Sequence, residues 1–284
     1  MFDRRLDPGS GATSPRAGLD ASSTTAGQRS NGNASSPTRA IAATARKPLW
    51  VGADLDALLH AAAEQEHRNG RHILLITGGF SANRPAFRRR VEACLAMRGV
   101  VWTFACGGPV TDTELVPACV ALMTERDVGL VVALGGGRVM DFAKVCTTFR
   151  DFDLSTDIEL ILGQRHDLIP RRRTALITIP TTPGTGSEAT PYAVLTGRRN
   201  RKLFAISAAF LPDAGLVCPE LYVTVPPEVI RQGALDALTH ALEALWAKRA
   251  TQLSDAYAAQ AMDHFHAAFL QFYRNPGDLW LAET

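Results

Sequence analysis

The sequence predicts an α/β fold, a mainly parallel sheet covered by helices, that runs into a helical C-terminal region. Three observations predict it. Short apolar runs at His72–Thr77, Val128–Leu134 and Thr174–Ile179 alternate with segments of helical periodicity. Each run ends in a turn dense in glycine or hydroxyl side chains. Beyond Leu221 the apolar residues recur at helical spacing with little strand signal.

The elements follow in order. Residues 1–46 stand apart: the stretch from Asp20 to Pro37 is small, polar and aperiodic. It cannot bury enough apolar surface to offset its ordering entropy, so disorder is expected. Its Arg and Ser would suit a transit peptide, but Asp3, Asp7 and Asp20 are out of keeping with one. From Lys47 the pattern changes. Asp54–Glu66 reads as a helix, His72–Thr77 as a buried strand closing on Gly78-Gly79, Phe87–Met97 as a helix and Val100–Phe104 as a strand. Thr113–Arg126 reads as a helix capped by Thr111 or Asp112. Val128–Leu134 is a strand running into Gly135-Gly136-Gly137, with a helix to about Phe149, and Thr174–Ile179 is a further buried strand. Thr224-Val-Pro-Pro-Glu puts prolines at a helix start, and helical spacing continues to Tyr273. A domain boundary is placed near residue 220, dividing an α/β part (47–220) from a helical part (221–284).

Composition narrows the function classes. Hydrophobic residues are 46% and charged residues 20% of the 284, which excludes a wholly disordered chain, a coiled coil and a collagen-like fibre. A net charge of +2 supplies no reason to expect a nucleic-acid partner. No apolar run reaches the roughly 18 residues of a membrane span, and the N-terminus lacks a signal-peptide core. Cys94, Cys106, Cys119, Cys146 and Cys218 are odd in number and widely spaced, which reads as reduced thiols in a cytoplasmic protein.

Three motifs carry chemistry. Gly135-Gly136-Gly137-Arg138, with Asp141 and Lys144, lies between a strand and a helix. Glycines admit a pyrophosphate to the backbone, and a helix N-terminus presents free N–H groups and partial positive charge. Pro180-Thr-Thr-Pro-Gly-Thr-Gly-Ser-Glu188 follows a buried strand and offers many short donors with little bulk, which suits phosphate or ribose. In Gly233-Ala-Leu-Asp-Ala-Leu-Thr-His240, Asp236 and His240 are four apart and share one helix face. There an oxygen and a nitrogen can take two positions of a divalent metal site. Each motif also has a plain structural reading: a tight strand-to-helix turn, a surface turn, and an ordinary helical Asp–His pair.

Taken in order, with Cys218-Pro-Glu-Leu and Val225-Pro-Pro between the second and third, these motifs resemble those of the iron-containing (group III) alcohol dehydrogenase family. The resemblance runs from about Arg71 to the C-terminus. It implies a Rossmann-like dinucleotide-binding domain followed by an all-α metal-binding domain. It implies NAD(P)H, a divalent metal (Fe2+ first, Zn2+ second), a small aldehyde or alcohol as substrate, and a homodimer for an intact member. No membrane partner is implied. Gly135, Gly136 and Gly137 would hold the pyrophosphate, with Asp141 in the same loop motif, and Thr181, Thr182 and Ser187 would line the cofactor cleft. Asp236 and His240 would be metal ligands, and Lys202 would lie near the cofactor ribose and active cleft, its plain reading being a solvated surface lysine.

The departures from the family pattern carry expectations too. Arg138 replaces a serine and adds a cation for a phosphate. Gly78 stands where NAD-preferring members carry an aspartate, which makes NADP admissible. Thr190–Val194, Arg201-Lys202 and Leu211-Pro-Asp resemble the phosphonoacetaldehyde reductase branch, with Lys202 or Arg201 as partners for a phosphonate. Family members continue through further helices that bring two more His ligands, so the helical domain is expected to be incomplete here. His264 and His266, two apart on a helix, face different ways and are not expected to replace them. The alternative to an oxidoreductase is therefore a truncated, non-catalytic remnant that binds cofactor at most.

Overall fold

The computed structural model describes residues 47, 49–52, 54–66, 72–79, 85–108, 110–155, 157–222 and 225–274. The segment 1–46, expected to be disordered, lies outside the described residues. Six strands form one parallel sheet: β1 (Leu49–Val51), β2 (His72–Gly78), β3 (Val100–Cys106), β4 (Val128–Gly135), β5 (Ala175–Pro180) and, later in the chain, β8 (Ala214–Val217). Their order is β1-β8-β5-β4-β2-β3. The register sets Ile73 beside both Val101 and Leu130, and Leu134 beside Ile179.

Strands buried on both faces read as continuous apolar runs, which is why β2, β4 and β5 are legible in the sequence. Alternate side chains feed two separate cores. Leu74, Ile76, Val131 and Ala133 pack with Val120 of α3 (Asp112–Glu125) and Phe142 of α4 (Gly137–Phe149). Ile73, Leu75, Leu130 and Val132 pack with Leu59 of α1 (Leu55–Glu66) and Val91 of α2 (Pro85–Ala96).

α4 is buried almost all round, from Val139 to Phe149. The sheet covers only one side of this helix, so a second cover is needed. The second cover is an antiparallel hairpin, β6 (Tyr192–Thr196) and β7 (Lys202–Ile206), whose inward Ala193, Leu195, Leu203 and Ala205 join the α4 core. A short helix, α5 (Ile158–Gln164), starts at Asp157, whose carboxylate accepts the Glu159 N–H at 2.9 Å.

The helical region consists of α6 (Pro227–Trp246) and α7 (Gln252–Arg274), with Pro227 in the first turn of α6 as expected. Ala241 on α6 and Ala258 on α7 are buried, whereas Leu235, Trp246, Leu253 and Tyr257 are exposed. Among the described residues no helix is long and apolar enough to cross a membrane.

The structure adds elements that the pattern did not show: β1, α5, the β6–β7 hairpin and β8. β1 and β8 have three and four residues, too few for a period to register. The hairpin alternates in burial, but its outward Tyr192, Val194, Phe204 and Ile206 are apolar as well, which erases the polar alternation of a half-exposed strand.

Candidate active-site cleft

β2, β4 and β5 end side by side at Gly78, Gly135 and Pro180, so their following loops converge on one edge of the sheet. That is where an open α/β sheet offers a crevice. A cleft of about 360 Å³ opens there. Its lining includes Gly137, Arg138, Asp141, Ser187, Lys202, Asp236 and His240, seven of the residues that the sequence singles out, drawn from all three motifs. Gly78, Gly135, Gly136, Thr181 and Thr182 are not part of that lining.

The first loop opens α4. Gly136 is its extended N-cap and brings no side chain to cap the helix. The first turn therefore presents the N–H groups of Gly137 and Arg138 beside the cleft, that of Val139 being taken by the Gly136 carbonyl at 3.0 Å. A Cβ at Gly136 would lie 2.9 Å from the Thr182 hydroxyl, and one at Gly137 would lie 2.9 Å from the Thr185 methyl. The two loops thus interlock through glycine and threonine. The Thr181 N–H donates to the Gly135 carbonyl at 3.0 Å, and its buried hydroxyl has no partner.

Behind the loops sits a buried polar cluster. Ser187 Oγ donates to Asp141 Oδ1 at 2.6 Å, and Val194 N–H donates to Asp141 Oδ2 at 2.9 Å. The wholly buried Lys144 donates to Asp141 Oδ1 at 3.2 Å, Ser187 Oγ at 2.8 Å and the Tyr192 carbonyl at 2.7 Å. Burial lowers the Lys144 ammonium from its ordinary range, against the opposing pull of the Asp141 carboxylate. Burial likewise raises the neighbouring Glu188. Asp141 and Ser187 reach the cleft, but their hydrogen bonds tie α4, the second loop and the hairpin together.

Arg138 enters the cleft from α4 and Lys202 from β7 of the hairpin. Arg138 Nε donates to Asp112 Oδ1 at 2.7 Å, and Lys202 Nζ donates to Thr196 Oγ1 at 2.8 Å. Arg201 does not line the cleft; its guanidinium lies beside Gly163. Of the two cations expected to meet a phosphonate, the fold offers Lys202.

Asp236 and His240 project into the cleft from α6, with Oδ1 and Nε2 3.8 Å apart and both side chains about half exposed. Their oxygen and nitrogen donors suit two positions of a divalent metal. Among the described residues no group of three or more His, Cys, Asp or Glu is arranged to hold an ion. His264 and His266 lie exposed on α7 and do not line the cleft. For a dinucleotide, the uncapped α4 terminus and the unspent Thr181 hydroxyl are the fitting features.

The sequence gives no site role to Asp112, Tyr192, Val194, Thr196 and Phe204, which also line the cleft. Asp112 reads as a candidate helix cap, and the other four sit on the unrecognised hairpin.

The chain has relatives among known proteins. Residues 52–219 match the family described as iron-containing alcohol dehydrogenase. The chain is 35% identical over 216 residues to the probable alcohol dehydrogenase EutG of Salmonella typhimurium, covering 73% of this chain and 52% of that protein. It is 36% identical over 152 residues to an alcohol dehydrogenase of Thermococcus barophilus, covering 52% and 40%. Among solved structures, sulfoacetaldehyde reductase from Bifidobacterium kashiwanohense in complex with NAD+ superimposes with a TM-score of 0.74 at 27% identity, over 83% of this chain and 61% of that one. The chain spans about half the length of these curated relatives or less. The match over residues 52–219, more than half of the chain, on a parallel sheet with its glycine loop places this protein in the iron-containing alcohol dehydrogenase family.

Proposed function

We propose that residues 47–220 form the nicotinamide-binding part, and 221–284 the beginning of the metal-bearing part, of an oxidoreductase that interconverts an aldehyde and a primary alcohol. The observation that carries this reading is the shared cleft: the first turn of α4 and the Asp236–His240 face line the same 360 Å³.

The uncapped α4 terminus would hold the cofactor's phosphates on Gly137 and its neighbours. The apolar face of the hairpin, Tyr192, Val194 and Phe204, would shield the reacting end from water. Asp236 and His240 would hold a divalent metal, Fe2+ before Zn2+. When bound, the nicotinamide supplies or accepts a hydride and the metal polarises the substrate oxygen. Lys144, through Asp141 and Ser187, keeps the two loops in register for both groups.

A two-carbon aldehyde with an anionic headgroup is the proposed substrate, phosphonoacetaldehyde in particular. Arg138 and Lys202 in the cleft support it, and the structural relative named for sulfoacetaldehyde acts on an aldehyde of that class. A homodimer and a cytoplasmic setting are proposed on the family likeness alone.

A second reading is that the chain binds cofactor without turnover. It is favoured by the two metal donors that the described residues bring to the cleft, where catalytic sites use about three plus an open position. One experiment separates the readings: load the purified chain with Fe2+ or Zn2+, titrate NADH and NADPH by fluorescence, then add phosphonoacetaldehyde. Cofactor binding with retained metal and aldehyde-dependent oxidation supports the enzyme. Cofactor binding without retained metal or turnover supports the second reading. No cofactor binding overturns both.

A further inference from the structure

The second loop lies between the first turn of α4 and the first half of α6, and it is fastened to only one of them. On the α4 side the Thr181 N–H donates to the Gly135 carbonyl at 3.0 Å, and Ser187 Oγ donates to Asp141 Oδ1 at 2.6 Å. Between these two bonds, Thr182 stands against Gly136 and Thr185 against Gly137, each within 2.9 Å of where a Cβ would be. Hydrogen bonds at both ends and two interlocked threonines therefore fix the loop to α4.

On the α6 side the loop makes contact and nothing more. A Cβ at Gly184 would overlap the Gly233 carbonyl, and one at Gly233 would overlap the Pro183 carbonyl. Among the described residues no hydrogen bond or ion pair joins α6 to the α/β part, and Ala241 is the only α6 residue that is buried.

The contact falls on the donor-bearing side of α6. Gly233, Asp236 and His240 stand at i, i+3 and i+7, so they share one side of the helix. Gly184 stands between Thr182 and Thr185, which meet the glycines of α4. The stretch Thr182–Thr185 thus touches the first turn of α4 on one side and the Asp236–His240 side of α6 on the other. The gap between them is one backbone thick, because neither glycine adds a side chain to it.

We infer that Thr182–Thr185 is a spacer, and that Gly184 and Gly233 are positioning residues which set the distance between the first turn of α4 and the Asp236–His240 donors. The inference rests on the cofactor and metal reading above and names what holds its two halves at working distance. Neither glycine lines the cleft. Hydride transfer needs near-contact of the reacting atoms, and a misplacement of about 1 Å lowers such a step about 100-fold. A methyl that overlaps a carbonyl must retreat by about 1 Å or more to reach ordinary contact, and α6, with no bond to the loop, is the part that yields.

The test reads the spacing directly. Spin labels are placed on cysteines substituted for Glu243 of α6 and Gln164 of α5, both exposed, in the full chain carrying Cys94→Ser; the other four cysteines are buried. Double electron–electron resonance then compares the parent with Gly184→Ala, Gly233→Ala and Gly233→Val. The mean distance should shift by about 1 Å in the alanine variants and further in Gly233→Val, grading with side-chain size. Met123→Ala, a cavity at the C-terminal end of α3, should lower the melting temperature and leave the distance as it is. The NADH dissociation constant, read by fluorescence on the same samples, should stay unchanged, since the loop remains fastened to α4. Where the parent oxidises NADH with phosphonoacetaldehyde, kcat should fall about 100-fold in Gly233→Ala.

Distances equal to the parent's in all three glycine variants overturn the spacer. So does an equal shift in Met123→Ala, which would make it a symptom of lost stability. A shifted distance with unchanged kcat confines the contact to packing and overturns the positioning role. If Gly184→Ala does not fold, because of its φ of +108°, the two Gly233 variants still decide. If the parent binds no NADH, the cofactor reading fails, and the label distances still decide the spacer.

Discussion

The backbone of Gly184 lies directly against the backbone of Gly233. Gly184 has φ +108°, and a Cβ there would overlap the Gly233 carbonyl; a Cβ at Gly233 would overlap the Pro183 carbonyl. Nothing larger than glycine fits at either position, so the second loop and α6 approach at backbone contact. That approach brings the Asp236–His240 face into the cleft that Gly137 and Ser187 also line.

Gly184→Ala and Gly233→Ala should therefore each destabilise the chain by about 1–3 kcal/mol, from overpacking against rigid backbone, with added left-handed strain at Gly184. Urea denaturation midpoints check this. Unchanged midpoints for both would mean that α6 does not rest on the loop.

Asp236→Ala and His240→Ala remove half-exposed side chains and should leave stability within about 0.5 kcal/mol. Each should weaken Zn2+ or Fe2+ binding by at least about tenfold, since a two-donor face loses half its ligands. Metal content by mass spectrometry after dialysis is the readout, and full retention in both variants would remove this face from the metal site.

Lys144→Met deletes a buried cation and leaves Asp141 buried with its charge uncompensated. Breaking a buried pair in this way costs about 3–5 kcal/mol. The same change removes the donor to Ser187 Oγ and the Tyr192 carbonyl, so cofactor affinity should fall along with stability. Denaturation and fluorescence titration of the same samples measure both.

Asp213 supplies a pH-dependent contribution. Burial alone would raise its carboxyl, but Arg172, Lys47 and the Leu176 N–H more than offset that and hold it below the usual carboxylate range. A carboxyl lowered on folding stabilises fully above its unfolded value near 3.8, and that stability is lost as pH falls through the lowered folded value. Asp213→Asn should thus cost about 1–3 kcal/mol at pH 7 and progressively less in acid. Unfolding curves for both proteins from neutral pH into acid test it, and a cost that stays constant would exclude the linkage.

Gly78 faces Val139: a Cβ there would lie 2.6 Å from Val139 Cγ2. Gly78→Asp should lower the melting temperature on its own and recover in Gly78→Asp/Val139→Ala, where the opposing methyls are gone. The double variant should favour NAD+ over NADP+ more than the parent does, because the carboxylate accepts from a ribose hydroxyl and repels a 2′-phosphate. Equal melting temperatures for single and double variants would refute the contact.

Much of the molecule is legible in its sequence because the signals are local. Val128–Leu134 is apolar throughout since both its faces are buried, and Gly135–Gly137 mark the turn that follows. Asp236 and His240 share a face by helical spacing alone. The hairpin stays hidden because its outward Tyr192 and Phe204 are apolar for the cleft, not for the core. The partners of Arg138 and Asp141 are hidden for a different reason: Asp112 lies 26 residues before Arg138, and Ser187 lies 46 after Asp141.

The sequence by itself determined the parallel sheet, the two glycine- and hydroxyl-rich loops and the shared face of Asp236 and His240, since each is written in the periodicity or spacing of neighbouring residues. Only the tertiary structure decided that Arg138 and Lys202 share a pocket, that Arg201 turns away from it, and that Gly184 and Gly233 exist to let two backbones touch. Those relationships depend on which distant segments the packed core brings within a few ångströms of one another, and no local pattern encodes that distance.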